Sequence, residues 1–226
     1  MIDELLPGPV VAVEAYGVEE AGRAALYPEE QAVMLRAVAK RRREFAAVRE
    51  CARRAMEKLG VPRQPVLPGA GGAPGWPAGL VGSMTHCDGY YAAALGRAAD
   101  VASLGIDAEP HEPLPQEVLP AVTLPDERHL LDRLAEQRPD VHWPKLLFSA
   151  KESVYKAWFP LTGEWLDFTE ADVDIRTSPG APHTGTFRAR LLVPGPLVGE
   201  RRLTHFDGRW TVRAGLLATA VTVPAH

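Results

Sequence analysis

A chain of 226 residues, 46% hydrophobic and 24% charged, is long enough for one large globular domain or two small ones. Its net charge of −4 argues against a general nucleic-acid binder, and no stretch approaches the roughly 18 apolar residues of a membrane-spanning helix. The start, Met1 to Pro7, is acidic and lacks the charged and apolar regions of a signal peptide, so a cytoplasmic protein is expected, with Cys51 and Cys87 as reduced thiols.

In chain order, Pro28 suits a first helical position, with Glu29 and Glu30 favourable at the positive helix end. Leu35, Val38, Phe45, Val48, Ala52, Ala55, Met56 and Leu59 then recur at three- and four-residue steps, which predicts one long helix or two abutting ones over 28–59. Residues 36–58 hold nine basic side chains against three acidic ones, a local balance of +6 that leaves −10 for the remainder. Such a stretch is either a solvated helix face or a confined anion site. Gly60 and Pro62 end it, and a Pro/Gly-rich loop follows over 60–79. Strands are expected at 80–84, 90–96 and 101–107. A Pro-rich link over 110–120 leads to helices at 124–138 and 143–160, the second opened by Trp143-Pro144 and closed near Pro160. Strands at 171–176, 186–193, 209–214 and 216–223 complete an α+β reading. Both halves show helix plus meandering strands, so two similar lobes related by a pseudo-twofold are a reasonable arrangement.

Chemistry concentrates in two short blocks. In Gly105-Ile106-Asp107-Ala108-Glu109, an extended chain puts both carboxylates on one face and Ile106 and Ala108 on the other. In Phe148-Ser149-Ala150-Lys151-Glu152-Ser153-Val154-Tyr155-Lys156-Ala157, Glu152 and Lys156 share a helical face, and Lys151 points one helix step away. By spacing alone these are a strand face and a helical salt bridge. Together, three carboxylates make an oxygen-rich site suited to Mg²⁺, with a lysine suited to phosphate.

These blocks resemble the phosphopantetheinyl transferases of the surfactin type, in the branch of the enterobactin-synthase D components. That family carries G-(I/V)-D-x-E and F-x-x-K-E-(A/S)-x-(Y/F)-K-A signatures. Two weaker ones are matched by Lys40-Arg41-Arg42 with Glu44-Phe45 and Arg49, and by Gly82-Ser83-Met84-Thr85-His86-Cys87. All four fall in order between about residues 38 and 168.

The resemblance implies a lobe over 1–109, a lobe over 110–226 and a ligand in the crevice between them. It implies Mg²⁺-dependent transfer of the 4′-phosphopantetheine arm of coenzyme A to a serine of apo acyl or peptidyl carrier proteins, releasing adenosine 3′,5′-bisphosphate. Asp107, Glu109 and Glu152 would hold the metal. Glu152 would act as base, Lys156 would stabilise the leaving phosphate, and His86 would orient the diphosphate. Arg49 and either Arg41 or Arg42 would read the 3′-phosphate. An eight-residue step lies about 80° off one helix face, whereas a seven-residue step is easier, which leaves that pair open. Members often place a lysine where this chain has Gly71, so that contact is expected to be absent or replaced by glycine N–H groups. A monomer is expected, without nucleic-acid or membrane partners. The same carboxylates and lysine would also serve a metal-dependent phosphodiesterase or nuclease, and a non-catalytic carrier-protein or nucleotide-binding module would need no Glu152.

Overall fold

The computed structural model describes residues 1–17 and 24–226. The protein is α+β, with two antiparallel sheets that each pack one 20-residue helix. Of the two arrangements expected over 28–59, one long helix or two, the structure has two: α1 (Pro28–Val33) and α2 (Ala39–Lys58). Pro28 and Glu29–Glu30 occupy the first turn of α1 as anticipated, and Gly60, at φ 71°, follows α2. The break has a local cause. The Arg42 guanidinium donates to the carbonyls of Met34 (3.0 Å) and Leu35, holding the chain in a turn before α2.

The first sheet has the order β1–β3–β2, from β1 (Val11–Tyr16), β2 (Leu80–Cys87) and β3 (Tyr90–Arg97). Strand β1 was not anticipated, although Val11, Val13 and Ala15 alternate with Ala12 and Glu14. Helix α2 buries Ala47, Val48, Cys51, Ala52, Ala55 and Met56 against this sheet. The second sheet has the order β4–β10–β9–β6–β5. It uses β4 (Val101–Pro110), β5 (Ala171–Ser178), β6 (Ala181–Leu191), β9 (His205–Arg213) and β10 (Leu216–Pro224). A two-residue ladder, β7 (Leu197–Val198) with β8 (Arg201–Arg202), lies outside it. Short α3 (Leu119–Val122) and α4 (Pro125–Gln137) precede α5 (Trp143–Thr162). Pro160 lies inside α5 instead of ending it. The stop comes at Gly163, at φ 69°, whose N–H donates to the Phe159 carbonyl.

Strand β4 belongs to the second sheet, since its whole length is hydrogen-bonded to β10 from Leu216↔Pro110 onward. Sheet membership therefore divides the chain before Val101, earlier than the division expected after Glu109. The sheets meet where β2 runs beside β4. Ser83 Oγ accepts from Ile106 N and Thr85 Oγ1 accepts from Ala108 N, both at 3.1 Å. Two hydroxyls thus serve backbone donors that a strand neighbour would otherwise satisfy. On the opposite face, Ile106 and Ala108 pack with Ile2, Leu5, Tyr90 and Ala220.

Helix α5 crosses β4 at Gly105. A Cβ there would stand 1.9 Å from the Ser153 carbonyl oxygen and 2.8 Å from Ala157 N, so only a glycine lets the helix backbone lie on the strand. Ser103 Oγ donates to the Ala157 carbonyl at 2.6 Å one residue pair away. A second buried anchor sits beside the first sheet. The fully buried Glu30 carboxylate accepts from Arg53 (3.0 Å), Val66 N (2.9 Å) and Tyr27 N (3.0 Å), tying α1 and α2 to the start of the 60–79 loop.

Gly105→Ala should force α5 off β4 and lower stability by about 1–3 kcal/mol or more, the usual range for overpacking. Urea unfolding checks this, and a midpoint equal to wild type would show that the close approach is not needed.

Candidate active site

Strand β4 and helix α5 bring the two motif blocks face to face. Asp107 is buried in β4, and its Oδ1 accepts from Lys156 Nζ at 2.7 Å and from the Thr85 hydroxyl at 3.3 Å. Lys156 also donates to the Ile106 carbonyl at 3.1 Å. Glu152 and Lys156 share a helical face, yet the lysine pairs across to Asp107 and not along the helix. The reason is burial, because an unpaired charge at Asp107 would cost more than one at the half-exposed Glu152. The second carboxylate oxygen, Asp107 Oδ2, is buried and finds no hydrogen-bond partner among the described residues.

Glu109, two residues on, lies 3.6 Å from Lys145 in the first turn of α5. Burial, reinforced by the Asp107 charge, raises its carboxyl above the usual range. Burial and then Asp107 do the same to Glu152, with Lys156 opposing. Asp107 thus acts on both glutamates, which places the three acids in one electrostatic neighbourhood. The Cys87 thiol is pushed up to about 12 by burial and by Glu109 and Asp107, so it stays protonated there. Among the described residues no three His, Cys, Asp or Glu side chains stand close enough, as they are, to hold a metal ion. The chemistry of the donors still fits a hard divalent cation. All three are carboxylates, burial and the Asp107 charge hold Glu109 and Glu152 back from ionising, and Asp107 keeps a buried oxygen without a partner among the described residues.

A cleft of about 950 Å³ opens in front of Glu152 and Lys156. Its other walls are Arg41, Phe45 and Arg49 of α2, residues 68–74 and Trp76 of the loop, Ser83 and His86 of β2, and Tyr155 and Phe159 of α5. One chain therefore supplies both sides. His86 Nε2 accepts from Arg41 at 2.8 Å and lies 3.5 Å from Glu44. Burial and the Arg41 charge lower its pKa, so the imidazole is neutral at pH 7 with its Nε2 lone pair turned to Arg41. Arg49 is buried, with Nε on the Val66 carbonyl (2.7 Å) and its guanidinium carbon 3.1 Å from the Phe45 ring centroid. Burial lowers its pKa to about 10, which leaves it charged at neutral pH.

Of the two arginines left open by helical spacing, Arg41 lines the cleft and Arg42 does not, being occupied by the turn carbonyls. Lys151 faces away and is buried on Glu127 (2.7 Å) and the Phe168 carbonyl (2.6 Å), a structural tie between α4 and α5. Gly71, at φ 61°, lies against the Phe159 ring, where a Cβ would come within 2.4 Å. A lysine at that position could be seated only by moving the Phe159 ring or the loop. Lys145, Thr85 and Glu44 were not singled out from the sequence. Lys145 had a signal, since it precedes Glu152 by seven residues and so shares its helical face. Thr85 and Glu44 had none beyond lying in matched motifs.

Two family models match the chain. The 4′-phosphopantetheinyl transferase N-terminal domain covers residues 29–96, and the 4′-phosphopantetheinyl transferase superfamily covers 103–192, so their junction falls at the turn before β4. Among curated relatives, 4′-phosphopantetheinyl transferase Svp of Streptomyces mobaraensis is 57% identical over 226 residues, 100% of this chain and 90% of its own. 4′-phosphopantetheinyl transferase PptT of Mycobacterium tuberculosis is 48% identical over 87% of this chain and 85% of its own. 4′-phosphopantetheinyl transferase Npt of Nocardia iowensis is 44% identical over 98% of this chain and 99% of its own.

The raised carboxyl of Glu152 carries a stability consequence. Its folded pKa lies above its unfolded value, so the ionised form weakens the fold once pH rises through that window. Glu152→Gln should therefore melt at a higher temperature than wild type at pH 7. The gain should vanish below about pH 4, where the unfolded carboxyl is also protonated. Thermal melts across pH check this, and an unchanged or lower melting point at pH 7 would contradict it.

Proposed function

The chain belongs to the 4′-phosphopantetheinyl transferase family, and on that premise we propose how its own residues carry the reaction. Enzymes of this family move the 4′-phosphopantetheine arm of coenzyme A to carrier proteins, and this chain is one of them. The proposed acceptor group is a serine hydroxyl of an apo acyl or peptidyl carrier, and the proposed product is adenosine 3′,5′-bisphosphate.

Coenzyme A would occupy the cleft with its diphosphate toward Lys156 and His86. Arg49 and Arg41 would meet the 3′-phosphate. Arg49 is suited to this because Val66 and Phe45 hold its guanidinium in place before any ligand arrives. Asp107, Glu109 and Glu152 would hold Mg²⁺. When bound, the ion would neutralise charge on the diphosphate and on the three carboxylates.

The serine oxygen attacks the phosphorus that bears the pantetheine arm, and the bond from that phosphorus to the adenosine-side phosphate oxygen breaks. Glu152 takes the serine proton. Glu152 lines the cleft beside Lys156, where a hydroxyl presented to the diphosphate would come within its reach. Lys156 carries the positive charge nearest the departing phosphate and can donate a proton from Nζ. His86, neutral and engaged by Arg41, orients the diphosphate and does not act as an acid.

The buried, unpartnered Asp107 oxygen opposite Lys156 is the observation that most supports this reading over a non-catalytic module, which has no use for a carboxylate held short of positive charge. The same oxygen would also suit a metal-dependent phosphodiesterase or nuclease, and it is family membership that favours the transferase over that reading. Of the basic side chains in 36–58, Arg41 and Arg49 line the confined cleft, which suits a compact anion better than an extended strand. The two sheets with their helices are proposed as the two lobes, acting within one chain.

Incubation with coenzyme A, Mg²⁺ and an apo carrier should add one phosphopantetheine to the carrier, read as a mass gain. Glu152→Ala should lower the rate by roughly 10²–10⁴-fold, the range for loss of a general base. Near-normal turnover of Glu152→Ala would remove both roles assigned to that residue.

A further inference from the structure

The turn between α1 and α2 holds aliphatic side chains in water at the rim of the cleft. Val33, Leu35 and Val38 are 47%, 71% and 72% exposed. This is no slack loop. Arg42 grips the carbonyls of Met34 and Leu35, the Met34 side chain is buried, and Ala37 N donates to the Met34 carbonyl at 3.0 Å. An ordered turn that keeps three apolar side chains exposed marks a contact surface more often than a solitary exposed leucine does.

Cations surround the patch. Arg36 and Arg43 are exposed and have no acidic partner among the described residues. Lys40 reaches only Glu44 at 3.9 Å and Asp88 at 3.5 Å, both long for an ion pair at a surface. Val33 and Met34 also line the cleft, so the patch runs into the mouth in front of Glu152 and Lys156. A macromolecule presenting a hydroxyl there must rest on the rim.

We propose that the 33–38 turn, with Arg36, Lys40 and Arg43, is the docking rim for the carrier protein, which meets it with an acidic face around an apolar strip. The proposal rests on the transferase reading above. The apolar side chains exclude water at the centre of the contact and the cations steer an acidic partner from the edge. Leu35, Arg36, Val38 and Arg43, the side chains of this rim changed below, are not part of the cleft lining proposed for coenzyme A.

The test uses the full chain and two variants, the double Leu35→Ser/Val38→Ser and the double Arg36→Glu/Arg43→Glu. All four positions are exposed, so folding should be unaffected, and thermal melts verify it. Initial rates are measured with the carrier varied and, separately, with coenzyme A varied. Each variant should raise the carrier KM by about tenfold while the KM for coenzyme A and kcat stay at wild-type values. Added salt should raise the carrier KM of wild type and have a much smaller effect on the charge-reversed variant. An unchanged carrier KM in both variants overturns the docking rim and leaves the transferase reading intact. So does an equal rise in the KM for coenzyme A, which would assign the turn to the nucleotide site. Loss of binding to anionic phospholipid vesicles with an unchanged carrier KM would make the patch a membrane contact and also overturn it. No transfer by wild type at all would overturn the transferase reading itself.

Discussion

Asp107 is the group around which the rest of the site is arranged. It is a buried carboxylate on a strand that one helix crosses at backbone contact, and it is only half compensated. Lys156 satisfies one oxygen and nothing described satisfies the other. A buried charge in that condition is costly, and it persists only where surrounding packing fixes it. That packing is specific. Gly105 lets α5 lie on β4, which sets the height of Lys156 and Glu152 above Asp107. Ser83 and Thr85 tie β4 to β2, which brings His86 into the same cleft. Excess negative charge then spreads to the neighbours, and Glu109 and Glu152 are both raised partly by Asp107. On the proposed reading the electrostatic cost and the chemistry have one source, since a site that would receive a cation and an anionic diphosphate is unfavourable when it must stand on its own side chains.

The same helix shows how a small angular step separates structure from chemistry. Lys151 and Glu152 are adjacent, but they lie on different faces of α5. Lys151 is turned inward onto Glu127 and the Phe168 carbonyl, and it is fully paired. Glu152 and Lys156 face the cleft, and Lys145 begins the same face one turn into the helix. Glu30 does for α1 and α2 what Glu127 does for α4 and α5. Each is a buried carboxylate that ties its helix to a distant backbone N–H, Val66 N in the 60–79 loop and Val173 N in β5 respectively. The cleft arginine Arg49 depends on the first of these, because the Val66 carbonyl that orients it belongs to the segment Glu30 secures.

Much of this was legible in the sequence. The alternation in Gly105 to Glu109 and the four-residue step from Glu152 to Lys156 are local geometry, and local geometry survives folding. The α+β class and most element positions follow from the same periodicities. Partners across the chain were not legible. Nothing in the spacing of Lys156 says that it leaves Glu152 for Asp107, because that choice depends on burial, which is a property of the assembled lobes. The sequence left one helix or two open over 28–59, because the apolar positions Leu35 and Val38 continue the helical pattern while pointing into solvent. The choice of Arg41 over Arg42 likewise required the Met34 and Leu35 carbonyls, which no helical wheel contains. Strand β4 reads as a partner of the first sheet in chain order but hydrogen-bonds to β10, the last strand of the chain.

The central claim is that the unpartnered Asp107 oxygen marks the place of a divalent cation. Calorimetric titration of Mg²⁺ into the protein with coenzyme A present tests it most directly. Wild type should bind one ion, and Asp107→Asn, which keeps the shape of the side chain but loses its charge, should bind none in the same range. Equal binding by Asp107→Asn and wild type would contradict the account.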